Sequence, residues 1–567
     1  MADVRVDRRR IVIVGGVAGG ASAAARARRM VEHAEIILLE KDRDVSFANC
    51  GLPYYLGREI EQREKLTVAS AELLRGRFNL DVRTRHEAIA IDRETKQVVV
   101  LRHEDGSQIK LAYDKLILAT GARPIRPEIE GASLEGVFTL RNLEDTDAID
   151  SHLEGMDHRR AVVVGGGYIG LEMAEQLRRR GLEVSLIERS PQVMALLDPE
   201  MAVPVAEALR EANVDLRVDN EVVRIDRDGG RLRVSLRTGD ALEAGIVVFG
   251  IGVIPNTELA KEAGLTLGAS GGVTVDRFMR TSDPDIYAVG DSVAYAYGPT
   301  GLPMRVALAG PANRAGRIAG THAAINRSDE MADVFGTSIV RVFEVAAGQT
   351  GLTVRSAERF GVEVDSVTVI ANHHAGYFPG ARPVTLKLVY DSKDGRVLGV
   401  QAVGHEGVDK RLDVVATLMA MKGTVRDLAG LDLAYAPPFG SAKDVLHMAA
   451  FAACNQIDGF DRFAAADEDL SGYQVVDVRT AGEIERVALA GISGAIEIPL
   501  DELRSRLGEL DPSRPTVVSC ASGVRSHVAA RLLLQQGFSE VIELSGGATV
   551  RSRAVRHGDA SVLRRKV

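Results

Sequence analysis

One pattern occurs twice in this chain, and it limits the possible fold more than any other feature. Ile11–Val14 is a short apolar run that leads into a glycine turn and an alanine-rich helix. Ile36–Glu40 then reads as a second strand ending in an acid. The same order returns at Ala161–Val164, Gly165–Gly170 and Val184–Glu188. Strand, glycine turn, helix and strand form the opening βαβ unit of a doubly wound sheet. Two copies predict an α/β chain with two nested Rossmann-like dinucleotide-binding domains, the second inserted into the first.

The second copy carries the full fingerprint, Gly165-x-Gly167-x-x-Gly170. Glycines there permit a tight turn and close backbone approach, and the helix N-terminus attracts a pyrophosphate. Glu188 can accept hydrogen bonds from a ribose diol and repels a 2′-phosphate, which favours NADH over NADPH. The adjacent Arg189 weakens that preference. The first copy departs from the fingerprint: in Gly15-Gly16-Val17-Ala18-Gly19-Gly20, Val17 stands where the second glycine belongs and Gly20 is the third. Ala119-Thr120-Gly121 and Tyr287–Asp291, which ends in Gly290-Asp291, read as strand-to-turn junctions. Glu40 is placed for an adenosine ribose, and Asp291 for a ribitol chain near a helix start. Together these point to FAD, with Asp291 as a simple helix cap the open alternative.

A length of 567 residues predicts several domains. The boundaries are read as 1–115 and 250–330 for the first nucleotide-binding domain, 116–249 for the inserted one, then 331–455 and 456–567. Beyond Phe335 the texture changes to β-branched runs at Ser338–Phe343, Val367–Ile370 and Val384–Tyr390, with an amphipathic helix over Arg411–Met421. Asp458–Asp469 reads as a polar linker and Tyr473–Arg479 opens a small α/β domain. The basic stretch Arg551–Val567 is expected to be solvated and partly frayed. A net charge of −9 argues against nucleic acid as a partner. No uninterrupted apolar run reaches ~18 residues, so no membrane span is expected. Arg8-Arg9-Arg10 precedes an apolar stretch in the manner of a signal peptide, but glycines break that stretch.

Only three cysteines are present, too few for a disulfide framework, which implies a reducing, cytoplasmic setting. Cys50 lies in Ser46-Phe47-Ala48-Asn49-Cys50-Gly51-Leu52-Pro53-Tyr54-Tyr55. Cys520 opens Cys520-Ala521-Ser522-Gly523-Val524-Arg525, with the strand Val517–Cys520 before it and a helix expected after Arg525. Such a loop can aim backbone N–H groups at one anion, lowering a thiol pKa and stabilising a persulfide. Cys454, in the apolar stretch Ala449–Cys454, reads as a buried structural thiol. No metal site is indicated.

The order of these elements resembles the pyridine nucleotide–disulfide oxidoreductases over about the first 455 residues. Where many members carry a cysteine pair, Cys50 stands alone. This is similar to the single-cysteine branch, which comprises coenzyme A disulfide reductases, NADH-dependent persulfide reductases, and NADH peroxidases or oxidases. The Ser46–Tyr55 context resembles the first two groups. The stretches His373–Gly380 and Leu433–Asp444 resemble those that carry two tyrosines from a partner subunit to the cysteine. The resemblance therefore implies a homodimer, with Tyr377 and Tyr435 donating hydrogen bonds to a departing sulfur anion. It also implies coenzyme A contacts from Arg26, Ser46 and Asn49. Arg28 and Arg29 read as a solvated helix face, the default for surface arginines.

About the last 100 residues resemble rhodanese domains. The carriers are the Cys520-x-x-x-x-Arg525 loop, Asp477-Val478-Arg479, Glu483 and Gly494–Pro499. A usual histidine is missing from Ala490-Gly491-Ile492. The implied activity is FAD-dependent, NADH-driven reduction of persulfides, polysulfides or coenzyme A disulfide at Cys50. Cys520 would handle sulfane sulfur, with small-molecule or protein persulfides and coenzyme A derivatives as partners. The alternatives are an NADH peroxidase or oxidase, and a non-catalytic persulfide carrier or sensor.

Overall fold

The computed structural model describes residues 9–557. The chain divides into two compact units. The first runs to Ile187 and resumes over Asn220–Gly336; the second comprises Glu188–Asp219 and everything from Thr337 onward.

The first unit contains both predicted βαβ openings. Strands Ile286–Ala288, Lys115–Leu118, Arg10–Val14, Glu35–Leu39 and Asp81–Arg83 lie side by side in that order, all parallel. Ile11, Ile13, Leu38 and Ile117 are fully buried, as expected of parallel strands covered on both faces. Helix Ala18–Met30 packs along Ala309–Ile325. Gly316 and Gly320 allow this close approach: a Cβ on either would meet the backbone oxygens of Gly19 and Ala23 at 2.3 and 2.4 Å. A second parallel set runs Glu183–Ile187, Arg160–Val164, Ile246–Phe249, Val137–Thr139. Two antiparallel three-stranded sheets, beginning at His86 and Val222, the pair Ala122–Pro124 with Val253–Pro255, and a small sheet of Val273–Thr274, Val293–Ala296 and Pro303–Arg305 complete the unit.

The second unit is built around an antiparallel sheet in the order Ser338–Val342, Val345–Gly351, Val397–Gly404, Pro383–Asp391, Val364–Asn372. The central strand Val397–Gly404 is buried along its whole length. Helix Pro199–Glu211 is tied to this sheet by buried Lys387, whose Nζ lies 2.8 Å from Asp198 and 2.6 Å from Glu200. A further five-stranded parallel sheet runs Phe463–Ala464, Val541–Leu544, Thr516–Ser519, Gln474–Asp477, Ile496–Glu497. Among the described residues no helix is long and apolar enough to cross a membrane.

Four sequence expectations fail here, three of them because a charged or polar group finds buried partners. Asp458–Asp469 is not a free linker. Asp461 is buried and accepts from Asn455 Nδ2 at 2.8 Å, Phe463–Ala464 joins the parallel sheet, and Glu468 is buried. Arg551–His557 is not a frayed end but the second half of helix Gly547–His557. Arg551 is fully buried and donates to the carbonyls of Ala490, Ala466 and Glu468. Residues 558–567 lie outside the described residues. Arg28 is buried rather than solvated, and donates to the carbonyls of Phe78, Val31, Glu32 and Asn79. Cys454 is only half-buried.

Candidate functional site

The two glycine turns are built alike. A Cβ on Gly20 would strike the Gly15 carbonyl oxygen at 1.8 Å, and a Cβ on Gly170 would strike that of Gly165 at 1.8 Å. Gly15 and Gly165 both take positive φ, +100° and +110°. Val17 in place of the middle glycine therefore leaves the turn intact, and it immediately precedes helix Ala18–Met30. Gly167 has no protein atom within 4 Å of a Cβ position, so the space above the second turn is open for a ligand.

Buried Glu40 ends its strand against the first turn, where Gly16 N donates to its carboxylate at 2.7 Å. Burial pushes the Glu40 carboxyl up. Thr120 and Gly121 follow strand Lys115–Leu118; the Thr120 hydroxyl donates to the Asn256 carbonyl at 2.6 Å, and Ala119 N donates to Val14 O at 2.7 Å. Gly290-Asp291 forms the turn between strands Ile286–Ala288 and Val293–Ala296. No helix starts there, so the expected helix-start setting of Asp291 is corrected, and a helix cap is excluded with it. Burial pushes the Asp291 carboxyl up, with the Arg141 guanidinium 3.9 Å away opposing. Glu188 follows strand Glu183–Ile187 and accepts from Ser190 N at 2.6 Å. The twin turns, the open space at Gly167 and the buried Glu40 beside the first turn fit the phosphate and ribose groups of dinucleotides.

Cys50 sits on a single helical turn, Asn49–Gly51, that continues into Leu52–Leu56. Its segment is folded against the first glycine turn, with Ser46 N donating to Gly16 O at 2.8 Å. Ser46 is buried in a left-handed conformation, φ +48°. Asn49 Nδ2 donates to the Arg141 carbonyl at 3.1 Å, and the Tyr54 hydroxyl to Glu172 at 3.1 Å. Cys50 is exposed. Protein atoms crowding one side of the thiol, together with the Glu172 and Asp291 carboxylates, still push its pKa up; Arg141 opposes them. Sequence reading missed Glu172, Arg141 and Tyr54. Glu172 has a signal, its place two residues after Gly170 on the helix opened by the second turn, whereas Arg141 has none.

Arg26 lies where helices Ala18–Met30 and Ala309–Ile325 meet, donating to the Thr321 hydroxyl at 2.9 Å. Burial and the like charges of Arg317 and Arg29 push its guanidinium down, so cations are concentrated on this face. In the second unit, the hydroxyl oxygens of Tyr377 and Tyr435 lie 2.9 Å apart. Both rings are exposed, by 75% and 48%.

Cys520 follows strand Thr516–Ser519 and is 1% exposed. Gly523 N points at Sγ from 3.1 Å, and Ser526 Oγ lies 3.6 Å away. Helix Val524–Gln535 starts before Arg525 rather than after it. Arg525 therefore lies in the first turn and makes a two-pronged ion pair with Glu483, at 2.8 and 2.6 Å. Asp477 and Arg479 form a buried ion pair at 2.6 Å beneath the loop's neighbouring strand.

The nested nucleotide folds with a lone cysteine at the first turn define a class, and sequence comparison agrees. Residues 9–326 match the model of the pyridine nucleotide-disulphide oxidoreductases, and residues 337–445 that family's dimerisation domain. Residues 463–550 match the rhodanese-like domain. The chain belongs to the pyridine nucleotide-disulphide oxidoreductase family, and is an oxidoreductase that uses FAD and NAD(H). It is 36% identical over 444 residues to a coenzyme A disulfide reductase of Staphylococcus aureus, covering 78% of this chain and 99% of that one. Among solved structures, it is similar to the reduced Bacillus anthracis CoADR-RHD, with 41% identity, TM-score 0.92, and coverage of 97% and 98% of the two chains. It is also similar to an NAD-dependent persulfide reductase from A. fulgidus, with 37% identity, TM-score 0.88, and coverage of 95% and 99%.

Proposed function

We propose that this chain is an NADH-dependent flavoprotein reductase of sulfur–sulfur bonds, acting on coenzyme A persulfide, coenzyme A disulfide or polysulfide in a reducing compartment. The observation that carries this reading is Cys50: it is the only cysteine of the first unit, it is exposed, and its segment rests on the first glycine turn. A single thiol without a resolving partner exchanges with a substrate sulfur rather than with a second protein thiol.

FAD, when bound, relays two electrons from the nicotinamide to sulfur. Gly15, Val17, Gly20, Glu40, Ala119, Thr120, Gly121, Gly290 and Asp291 would hold it. Gly165, Gly167, Gly170 and Glu188 would hold NADH, with the Glu188 carboxylate disfavouring NADPH. Cys50, as thiolate, attacks the sulfur–sulfur bond of the substrate in line. Two electrons and two protons give one thiol and one hydrogen sulfide from a persulfide, or two thiols from a disulfide. Arg26, with Ser46 and Asn49, would bind the phosphorylated carrier. In a homodimer built on residues 337–445, Tyr377 and Tyr435 of one subunit would donate to the sulfur anion leaving the other subunit's Cys50. Cys520 and Arg525 would form a second site for sulfane sulfur.

Anaerobic NADH consumption with coenzyme A persulfide, coenzyme A disulfide, polysulfide and peroxide, with sulfide measured, tests this reading. One sulfide per NADH with the persulfide supports it. Turnover with peroxide alone would make the chain a peroxidase.

A further inference from the structure

Tyr377 and Tyr435 sit near the ends of two separate exposed segments, yet their hydroxyls meet at 2.9 Å. Within one subunit, rings so exposed are not fixed by a surrounding core. What fixes the pair inside the subunit lies where the two segments enter the fold, and there a single buried side chain reaches both.

Arg411, in helix Val408–Ala420, is with Arg551 one of the two largest fully buried side chains among the described residues, 1% exposed. Its Nε and Nη2 donate to the two oxygens of Asp444 at 3.2 and 2.5 Å. Nη2 also donates to the His373 carbonyl at 2.8 Å, and Nη1 to the Gly407 carbonyl at 3.0 Å. His373 opens the segment that carries Tyr377, and its own N–H closes the base of that loop on the Arg382 carbonyl at 2.9 Å. Asp444 ends the segment that carries Tyr435 and caps helix Val445–Ile457, accepting from Leu446 N at 3.1 Å. A backbone bond from Ala375 N to Gly440 O, 2.9 Å, joins the two segments once more between these anchors.

We propose that Arg411 is the positioning residue for the tyrosine pair: its planar fork, bonded to Asp444 and to the His373 carbonyl, sets the register of the two segments and so the meeting of the two hydroxyls. The inference rests on the reading above, in which the phenols donate to the leaving sulfur. A guanidinium suits this task because its donors lie in one plane at fixed angles. A lysine at the same place keeps the charge but offers one donor nitrogen on a shorter stem in place of three, so the two-pronged hold on Asp444 and the bond to the Gly407 carbonyl cannot both be kept, and the register is lost.

The test is a double-mutant cycle on the FAD-bound dimer. Arg411→Lys, Tyr377→Phe/Tyr435→Phe and the combination are compared by stopped flow, with flavin reduction by NADH and flavin reoxidation by coenzyme A persulfide followed separately. The expected result is that Arg411→Lys slows reoxidation about tenfold or more at saturating persulfide, with KM and the NADH step within about twofold. Adding it to the tyrosine variant should cost little more, since groups that act as a unit are not additive. Unchanged reoxidation in a folded Arg411→Lys dimer overturns the proposal. So does a loss shared equally by the NADH step, or one that adds in full to that of the tyrosine variant. If Arg411→Lys does not fold, Asp444→Asn carries the same expectations and the same refutations. If the tyrosine variant itself turns over normally, the reading of the phenols as donors fails, and the inference falls with it.

Discussion

Arg525 and Glu483 grip each other through two parallel hydrogen bonds across the mouth of the Cys520 loop. Glu483 also accepts from Thr480 N and Oγ1, at 3.0 and 2.9 Å, so the acid is fixed to its own helix before it holds the arginine. The Arg525 hydrogen bonds, then those from Thr480, hold the Glu483 carboxyl far below the usual carboxylate range. The guanidinium is thus oriented by the protein and not by the substrate. Glu483→Gln should lower thiosulfate or persulfide sulfur transfer at Cys520 by about tenfold, the cost of a charge-assisted bond. NADH-driven reduction of a small persulfide at Cys50 should stay at the wild-type rate. Sulfur transfer unchanged in Glu483→Gln would show that the clamp does not serve the loop.

The two cysteines should separate cleanly. Cys50→Ser should lower NADH-driven reduction of every sulfur substrate by about a thousandfold or more, because the exchanging nucleophile is gone. Flavin bleaching by NADH should persist, since hydride transfer needs no thiol. Cys520→Ser should abolish sulfur transfer and slow reduction of bulky or protein persulfides more than of small ones. Anaerobic NADH oxidation with sulfide release reads both variants, and normal persulfide turnover by Cys50→Ser would refute the mechanism.

The environment of Cys50 makes a pH prediction. Crowding around the thiol, then the Glu172 and Asp291 carboxylates, push its pKa up against Arg141, which favours the protonated thiol over the thiolate in the NADH-free protein. Iodoacetamide should therefore react slowly at pH 7 and faster as pH rises, with a midpoint above that of an ordinary cysteine, ~8.5. Removing a negative neighbour favours the thiolate. Glu172→Gln should move the midpoint down, and a midpoint that stays or rises would exclude Glu172 as a cause.

His527 makes the opposite kind of prediction, one of stability. Its Nδ1 lies 3.2 Å from both Asp461 and Glu543, and hydrogen bonds to these acids push its pKa up to about 10. A histidine raised in the folded state stabilises fully below its unfolded value, ~6.5, and loses that contribution as pH rises through the folded value. The wild-type melting temperature should therefore fall between about pH 6.5 and 10 more steeply than that of His527→Gln. Equal slopes would show that the histidine is not charged in the fold.

Much of this was legible because backbone requirements leave marks on sequence. A turn that places a Cβ 1.8 Å from a carbonyl accepts only glycine, so Gly20 and Gly170 announce themselves. The apolar run that reads as a strand over Val517–Cys520 is the strand Thr516–Ser519, buried on every residue. What stayed hidden depends on partners distant in the chain. Arg551 looks like any solvated arginine until the carbonyls of Ala466, Glu468 and Ala490 close around it. Arg28 is hidden in the same way by Phe78 and Asn79. Arg141 reaches the cysteine region only through tertiary folding, and nothing in its local sequence marks it.

The stretch that reads as a linker has one more consequence. Asn455 holds Asp461, Thr368 N donates to Ser545 Oγ at 2.8 Å, and Arg553 reaches the Thr385 hydroxyl at 3.0 Å. The domain that carries Cys520 is thereby stitched to the antiparallel sheet at the end of strand Val541–Leu544 and through its last helix. A flexible tether would give the Cys520 loop a reach set by its length. Stitched in this way, the loop instead keeps one place against the antiparallel sheet, so whatever Cys520 exchanges with has to be carried to it.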